Sequence, residues 1–148
     1  MSSSDTSTST NVITRLRGAI EGADGVAARF PADNGWIDVS YPELGEDVRR
    51  IAAGLVRLGL EAGDVVAIYA ETRPEWVLAD LASISAGLVV ATIYHSSSAE
   101  EARHILENSG ASLVFCDTAE TLEKVEQIRG ELPALKHSVL FEASSSDT

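Results

Sequence analysis

The chain has 148 residues, 45% of them hydrophobic, and a formal net charge of −12. This length predicts one domain with a buried core, and the negative charge argues against nucleic acid as a partner because phosphate backbones would repel it. The single cysteine excludes an internal disulfide. No apolar run approaches the roughly 18 residues that span a bilayer, and the first residues lack the basic and apolar regions of a secretory signal. From these three observations we expect a cytoplasmic protein.

The chain begins with a polar tail and a weak helical pattern. Residues 1–11 are rich in Ser and Thr and nearly free of apolar side chains, so we expect them to be disordered. Apolar residues then recur at helical spacing and predict a short helix; they are Val12, Ile13, Leu16 and Ile20.

A β-hairpin is predicted next. Two short apolar runs, Val26–Phe30 and Trp36–Val39, flank the turn-rich segment Pro31–Gly35. In that segment the pair Asn34-Gly35 would supply the positive φ that a tight hairpin turn needs.

Four further helices are predicted from capping pairs, in which Ser, Thr or Asp is followed three residues later by Glu. The pairs are Ser40/Glu43, Thr72/Glu75, Ser98/Glu101 and Asp117/Glu120. Each helix is expected to end near a glycine, and these are Gly59, Gly87, Gly110 and Gly130. Apolar stripes support three of them: Leu44, Val48, Ile51, Leu55 and Leu58; Ile105 and Leu106; Leu122, Val125, Ile128 and Leu132. The remaining helix, Pro74–Ala86, is apolar or small nearly all round and should be the most buried.

Short β-branched runs between the helices predict buried strands. They are Val65–Ala70, Leu88–Tyr94, Leu113–Cys116 and Val139–Phe141. Strands that alternate with helices predict an α/β fold, with a mainly parallel sheet flanked by helices and a short N-terminal hairpin. We expect a single domain over residues 12–142 and a disordered polar tail over residues 143–148.

The carboxyl ends of the strands are the candidate functional site, because doubly wound sheets bind ligands there. These ends are Glu71–Pro74, Tyr94–Ser98 and Cys116–Thr118. No glycine-rich nucleotide-binding motif accompanies them. The segment Tyr94–Ser98 is the richest in hydroxyls and could face a phosphate or a substrate, but a solvated loop whose Ser98 caps a helix is the interpretation we favour.

The three histidines are not predicted to bind a metal. His95, His104 and His137 lack ligand spacing, and no cysteine or carboxylate cluster joins them. We expect His104 to pair with Glu100 or Glu101 on a helix surface.

Other polar side chains are assigned structural roles. Cys116 ends an apolar run and is predicted to be a buried, inert thiol. Asp80 is the one charge in an apolar helix and is expected to accept a structural hydrogen bond rather than to catalyse. Trp76 is predicted to lie in the core or an interface. A solvated face with local ion pairs is expected for Glu123, Lys124, Glu126 and Arg129.

Several short motifs carry a family resemblance. After the strand at Val65 they are Glu71-Thr72-Arg73-Pro74-Glu75-Trp76, Asp80, Ala86-Gly87, Ile93-Tyr94, Ser97–Glu101 and Ile105–Ala111. Upstream they are Tyr41, Leu44, Ala53–Leu55, Leu58-Gly59 and Gly63–Ala67. On these motifs Ala27–Leu140 resembles the N-terminal subdomain of AMP-forming acyl-CoA synthetases of the long-chain fatty acid type. Thr92 and His95-Ser96 depart from the proline and Pro-Thr that this family usually has there.

The resemblance implies a ligase that adenylates a fatty acid with ATP and then transfers the acyl group to coenzyme A, with Mg as the metal. The family's phosphate loop, adenine and ribose contacts, hinge and catalytic lysine have no counterpart in this sequence. We therefore assign no catalytic, cofactor-binding or metal residue, and we expect this chain alone to bind none of these cofactors.

We expect an N-terminal fragment of a long-chain fatty acid–CoA ligase that is inactive alone. Its partner would be the remainder of the ligase, or a second copy through an uncovered face; a fatty acid would be its substrate only in the full-length enzyme. Its location would be cytoplasmic or peripheral to a membrane. The alternative is a non-catalytic, stand-alone binding or regulatory module that reuses this subdomain. A flavodoxin-like domain ranks last, because Glu71 is the one acid after the first strand of the predicted sheet.

Overall fold

The computed structural model describes residues 12–141. The two predicted disordered tails, over residues 1–11 and 143–148, lie outside the described residues, as does residue 142 of the expected domain. Backbone contacts divide the chain into two compact units, one that ends at Gly45 and one that begins at Glu46.

The first unit contains a helix and a hairpin. Helix α1 spans Val12–Gly22 and has no buried residue. Strands β1, Val26–Ala32, and β2, Gly35–Ser40, pair antiparallel, and each extends beyond the predicted run because Ala32 still pairs with Gly35. The positive φ predicted for Asn34-Gly35 is found at Gly35 alone, at 133°.

Helix α2, Tyr41–Arg57, begins at the predicted capping box. The backbone N–H of Ser40 donates to the Glu43 carboxylate at 2.8 Å, and the N–H of Glu43 donates to the Ser40 hydroxyl at 3.3 Å. These bonds hold the pKa of Glu43 below its ordinary value.

The second unit alternates strands and helices. The elements that follow α2 are β3 Val65–Tyr69, α3 Pro74–Ser85, β4 Val89–Ile93, α4 Ala99–Ser109, β5 Leu113–Cys116, α5 Ala119–Ile128, a 3₁₀ turn Arg129–Glu131 and β6 His137–Leu140. The four strands form one sheet in the order β4-β3-β5-β6, and every neighbouring pair is parallel. The predicted α/β fold with a parallel sheet is confirmed.

Side chains of successive strand residues enter two different cores, as the pleat of a strand requires. Ala67 and Tyr69 join α4 and α5 on one face of the sheet. Val66 and Ile68 join residues of α2 and α3 on the other, which we call the α3 face. Both faces of β3 and β5 are buried, which explains why these strands read as uninterrupted apolar runs.

Helix α3 is the one helix within residues 12–141 that has no exposed residue, as predicted. Its predicted Thr72/Glu75 cap is wrong: the helix begins after Arg73, whose side chain makes no cap hydrogen bond. Arg73 has extended backbone, with φ −148° and ψ 168°, which is the conformation favoured before a proline, so the helix begins at Pro74 and not one residue after Thr72.

The caps of α4 and α5 differ in outcome. Ser98 and Glu101 form the predicted capping box of α4, and Gly110 ends that helix in the left-handed conformation. For α5 the Asp117/Glu120 prediction is wrong by one residue, because Thr118 is the cap and Thr121 its partner.

Candidate functional site

The three predicted strand ends meet at the carboxyl edge of the sheet, and Glu71 connects them. Its backbone N–H donates to Oδ2 of Asp117 at 2.8 Å. Its own carboxylate lies 3.3 Å from Nε2 of His95. The ends of β3, β4 and β5 are therefore joined through one residue.

Asp117 is a buried carboxylate at this edge, with 3% of the residue exposed. Its second oxygen, Oδ1, accepts a hydrogen bond from the Thr121 hydroxyl at 2.9 Å. Both carboxylate oxygens thus have protein donors, which is what a buried charge needs. Because Asp117 is engaged with Glu71 across the sheet, the cap of α5 passes to Thr118.

A second cluster fixes the segment Tyr94–Ser98. Tyr69 is fully buried at the end of β3, and its hydroxyl donates to the backbone carbonyl of Ser97. Nζ of Lys124 lies 3.4 Å from the same carbonyl and forms an ion pair with Glu120 at 3.1 Å. Burial raises the pKa of Tyr69, and the positive charge of Lys124 acts in the opposite direction.

We favoured the interpretation of Tyr94–Ser98 as a solvated loop whose Ser98 caps a helix. The structure confirms the cap, since Ser98 is the N-cap of α4. The Ser98 N–H donates to the Glu101 carboxylate at 2.7 Å, and these cap bonds lower the pKa of Glu101. Tyr94 is 84% exposed at the other end of the segment.

The remaining histidines are held by local contacts. His104 lies 3.0 Å from Asn108 rather than pairing with Glu100 or Glu101, so that prediction is wrong; Glu101 is already engaged in the cap. His137 lies 3.1 Å from the backbone carbonyl of Leu58. Among residues 12–141, no group of three or more His, Cys, Asp or Glu side chains is placed to hold a metal ion.

Cys116 is completely buried, as predicted, and burial raises its pKa to about 12. Such a thiol stays protonated at neutral pH and is a poor nucleophile. Arg129, in the 3₁₀ turn after α5, pairs with Glu126 of α5 at 3.1 Å, which confirms a local ion pair on the predicted solvated face.

Of the two residues of α3 for which a structural role was predicted, Trp76 agrees with the prediction and Asp80 does not. Trp76 is half-buried and packs against the core of the α3 face, as predicted. Asp80 was expected to accept a structural hydrogen bond, but within the described part of the chain its carboxylate has no partner, and burial raises its pKa. The structural hydrogen bond that we expected for Asp80 is therefore not formed within residues 12–141.

The carboxyl edge is therefore a set of cross-links between strand ends rather than a cluster of reactive groups. At this edge, Asp117 and Tyr69 make the two side-chain hydrogen bonds that span the most residues of sequence, 46 and 28, and sequence reasoning assigned a cross-strand role to neither. The signal for Asp117 was its position directly after four consecutive buried residues, where a carboxylate has to find donors.

Comparisons with known proteins identify the family. The sequence profile of the AMP-binding enzyme family matches residues 19–148. The long-chain-fatty-acid–CoA ligase FadD15 of Mycobacterium bovis is 39% identical over 104 residues, which is 70% of this chain and 17% of the ligase. The human ligase ACSBG1 is 34% identical over 118 residues, 80% of this chain and 16% of that protein. This chain thus spans about one sixth of the length of these relatives.

Solved structures show the same fold. The A-PCP didomain of a carboxylic acid reductase from Segniliparus rugosus, determined in complex with AMP, superposes with a TM-score of 0.79 at 18% identity, over 95% of this chain and 22% of that one. The N-terminal domain of FACL13 from Mycobacterium tuberculosis superposes with a TM-score of 0.66 at 22% identity, over 71% of this chain and 27% of that one. The profile match extends over most of the sequence, and the chain belongs to the AMP-binding enzyme family.

Proposed function

We propose that this chain acts as the N-terminal subdomain of an ATP-dependent long-chain fatty acid–CoA ligase and is catalytically inactive alone. The observation that carries the proposal is the 39% identity to FadD15 over 70% of the chain. The fold supports it, since solved adenylating enzymes contain the same arrangement of strands and helices.

We also propose that ATP, Mg and coenzyme A are held by other parts of the ligase. The described residues of the carboxyl edge do not fit a triphosphate: Asp117 and Glu71 add negative charge there, and the one lysine, Lys124, is already paired with Glu120. The chain's contribution is a rigid scaffold in which Tyr69 and Asp117 fix the segments that leave the sheet.

A chimeric enzyme tests this function. Residues 1–148 replace the matching segment of the Mycobacterium bovis FadD15 ligase, and ATP–pyrophosphate exchange is measured with palmitate. We expect exchange from the chimera and none from the isolated chain. Exchange by the isolated chain would contradict the proposal, and so would a folded chimera without activity.

A stand-alone, non-catalytic module is the second candidate. The observation that favours it is that the polar groups of the carboxyl edge satisfy one another within the chain, as in Asp117 with Glu71 and Thr121. This candidate predicts a folded chimera without exchange activity, so the same experiment separates the two functions.

A further inference from the structure

The hairpin turn carries a pair of residues whose chemistry the proposed function does not use. Asp33 and Asn34 connect β1 to β2, and Gly35 follows as the first residue of β2, where it pairs with Ala32. Asn34 is exposed, and its carboxamide has no hydrogen-bond partner among residues 12–141. The carboxamide is therefore free to turn toward the backbone that follows it.

An asparagine side chain in this position can react with its own backbone. The backbone nitrogen of Gly35 attacks Cγ of Asn34 and loses its proton. The new C–N bond closes a five-membered succinimide ring, and the carboxamide nitrogen leaves as ammonia. Water then reopens the ring: addition at Cγ gives aspartate, and addition at the main-chain carbonyl carbon gives isoaspartate. One water is consumed and one ammonia is released, so the reaction needs no oxidant, reductant or cofactor.

Gly35 provides a backbone nitrogen with little steric hindrance. A glycine has no Cβ next to the attacking nitrogen. Its φ of +133° lies in the region that L side chains rarely adopt, and no atom lies within 4 Å of the place where a Cβ would be. Neither a side chain nor a packed neighbour therefore crowds the backbone at Gly35.

The other asparagines are less suited to this reaction. Asn108 lies in α4, and its side chain lies 3.0 Å from Nε2 of His104. Ser109 follows it within the same helix, so closure of the ring would require the helical backbone to open there. Asn11 is followed by the β-branched Val12. Asn34 is the asparagine that a glycine follows.

The isoaspartate product would disturb the hairpin. It adds one carbon atom to the main chain of a two-residue turn, and the length of such a turn sets the register of its strands. No residue of β1 or β2 is buried, so the hairpin depends on backbone pairing more than on packing. The register also brings Arg29 opposite Asp38, and Nη2 of Arg29 donates to Oδ2 of Asp38 at 2.9 Å. A longer turn would shift this pair.

We propose that Asn34 is a modification site of this protein, at which a succinimide forms with Gly35 and opens to aspartate and isoaspartate, and that the isoaspartate form loses the pairing of β1 with β2. The proposal depends on the hairpin alone and is independent of the proposed function. Both products also add a negative charge to a chain whose net charge is already −12.

Peptide mapping by mass spectrometry tests the site in the isolated chain. The folded chain is incubated at pH 8, and the mass gain of deamidation is followed in the peptides that contain Asn34 and Asn108. Isoaspartate is identified in each peptide by methylation with a protein isoaspartate methyltransferase. Asn34→Gln is the blocking control, because it keeps a carboxamide but would have to close a larger ring. A parallel incubation in urea shows what the fold contributes.

We expect Asn34 to deamidate at least about tenfold faster than Asn108 in the folded chain, because a glycine follows it in an exposed turn. Both products should form, and the hairpin peptide of Asn34→Gln should not be methylated. Equal rates at Asn34 and Asn108, or aspartate as the single product, would overturn the assignment. Reaction of Asn34 in urea but not in the folded chain would show that the turn protects it and would also overturn the proposal.

Amide hydrogen exchange tests the structural consequence. The isoaspartate form of the chain is compared with Asn34→Asp, which carries the same charge on an ordinary main chain. We expect faster exchange over residues 26–40 in the isoaspartate form and exchange close to that of the original chain in Asn34→Asp. Equal exchange in the two would mean that the longer main chain does not break the pairing, and would overturn that part of the proposal.

Discussion

Asp117 accepts a hydrogen bond from the backbone N–H of Glu71 at 2.8 Å, across 46 residues of sequence. The bond ties the end of β5 to the residue that follows β3, at the edge where the chain turns into α3 and α5. Asp117 also accepts a hydrogen bond from the Thr121 hydroxyl, so one buried carboxylate sets the geometry of two strand–helix turns.

Replacement of Asp117 by alanine should therefore lower stability. The change leaves the Glu71 N–H without its acceptor and removes a charge-assisted bond, so we expect a loss of about 1.5–3 kcal/mol in the free energy of unfolding. Urea denaturation of the isolated chain measures it. The matched control is Asp64→Ala, which removes a bond of the same length to the N–H of Glu61 in a solvent-exposed loop and should cost less. Equal losses in the two variants would contradict the special role of Asp117.

Two glycines should respond in opposite directions to the same substitution. Gly87 has φ +79°, and a Cβ there would lie 3.3 Å from Cβ of Ala62. Gly87→Ala should cost about 1–2 kcal/mol because of the left-handed backbone, with a further loss from the close contact. Gly54 lies within α2, with open space where the methyl group of an alanine would lie, so Gly54→Ala should stabilise the chain by roughly 0.5–1 kcal/mol. Thermal unfolding of both variants checks the signs, and a stable Gly87→Ala protein would contradict the account of this turn.

The native thiol should be inert until the protein unfolds. With its pKa raised to about 12 by burial, Cys116 is ionised in about one molecule in ten thousand at pH 8, against about one in ten for a free thiol of pKa 9.0. We expect labelling by Ellman's reagent to be slower by at least about a thousandfold in the native chain than in urea. Rapid labelling under native conditions would mean that the end of β5 opens readily.

The periodic features of the fold were predictable from sequence, and the features that depend on neighbours were not. The strands β3 and β5 could be predicted because burial on both faces leaves an uninterrupted apolar run, as in Leu113–Cys116. The capping box at Ser98 was also predictable, since both of its partners lie within one turn of helix.

The contacts that sequence reasoning missed join residues far apart in the chain. The capping pattern at Asp117 was a real local signal, but a donor 46 residues away, at Glu71, competes for the same carboxylate, and so Thr118 caps the helix instead. The bond from Tyr69 to Ser97 has the same character. A local sequence pattern does not show which hydrogen-bond partner a side chain takes when a second partner is distant in sequence and becomes close only in the folded chain.

Asp80 gives the last prediction, a gain in stability that depends on pH. Burial raises the pKa of its carboxyl above the ordinary value of 3.8, and no donor in the described part of the chain compensates. The folded state therefore prefers the protonated carboxyl. The contribution of Asp80 to the free energy of unfolding is fully present below the unfolded pKa, and it is lost as the pH rises through the folded pKa.

Asp80→Asn should consequently raise the free energy of unfolding at pH 7, by less than about 1 kcal/mol because the side chain is partly solvated, and should give no gain at pH 3, where the native carboxyl is also neutral. Urea denaturation at the two pH values measures the difference. Glu123→Gln, at an exposed position on α5, is the control and should show no comparable dependence on pH. A lower free energy of unfolding for Asp80→Asn at pH 7 would mean that the Asp80 carboxylate has a stabilising partner. An equal gain at both pH values would mean that the gain does not come from removal of the negative charge.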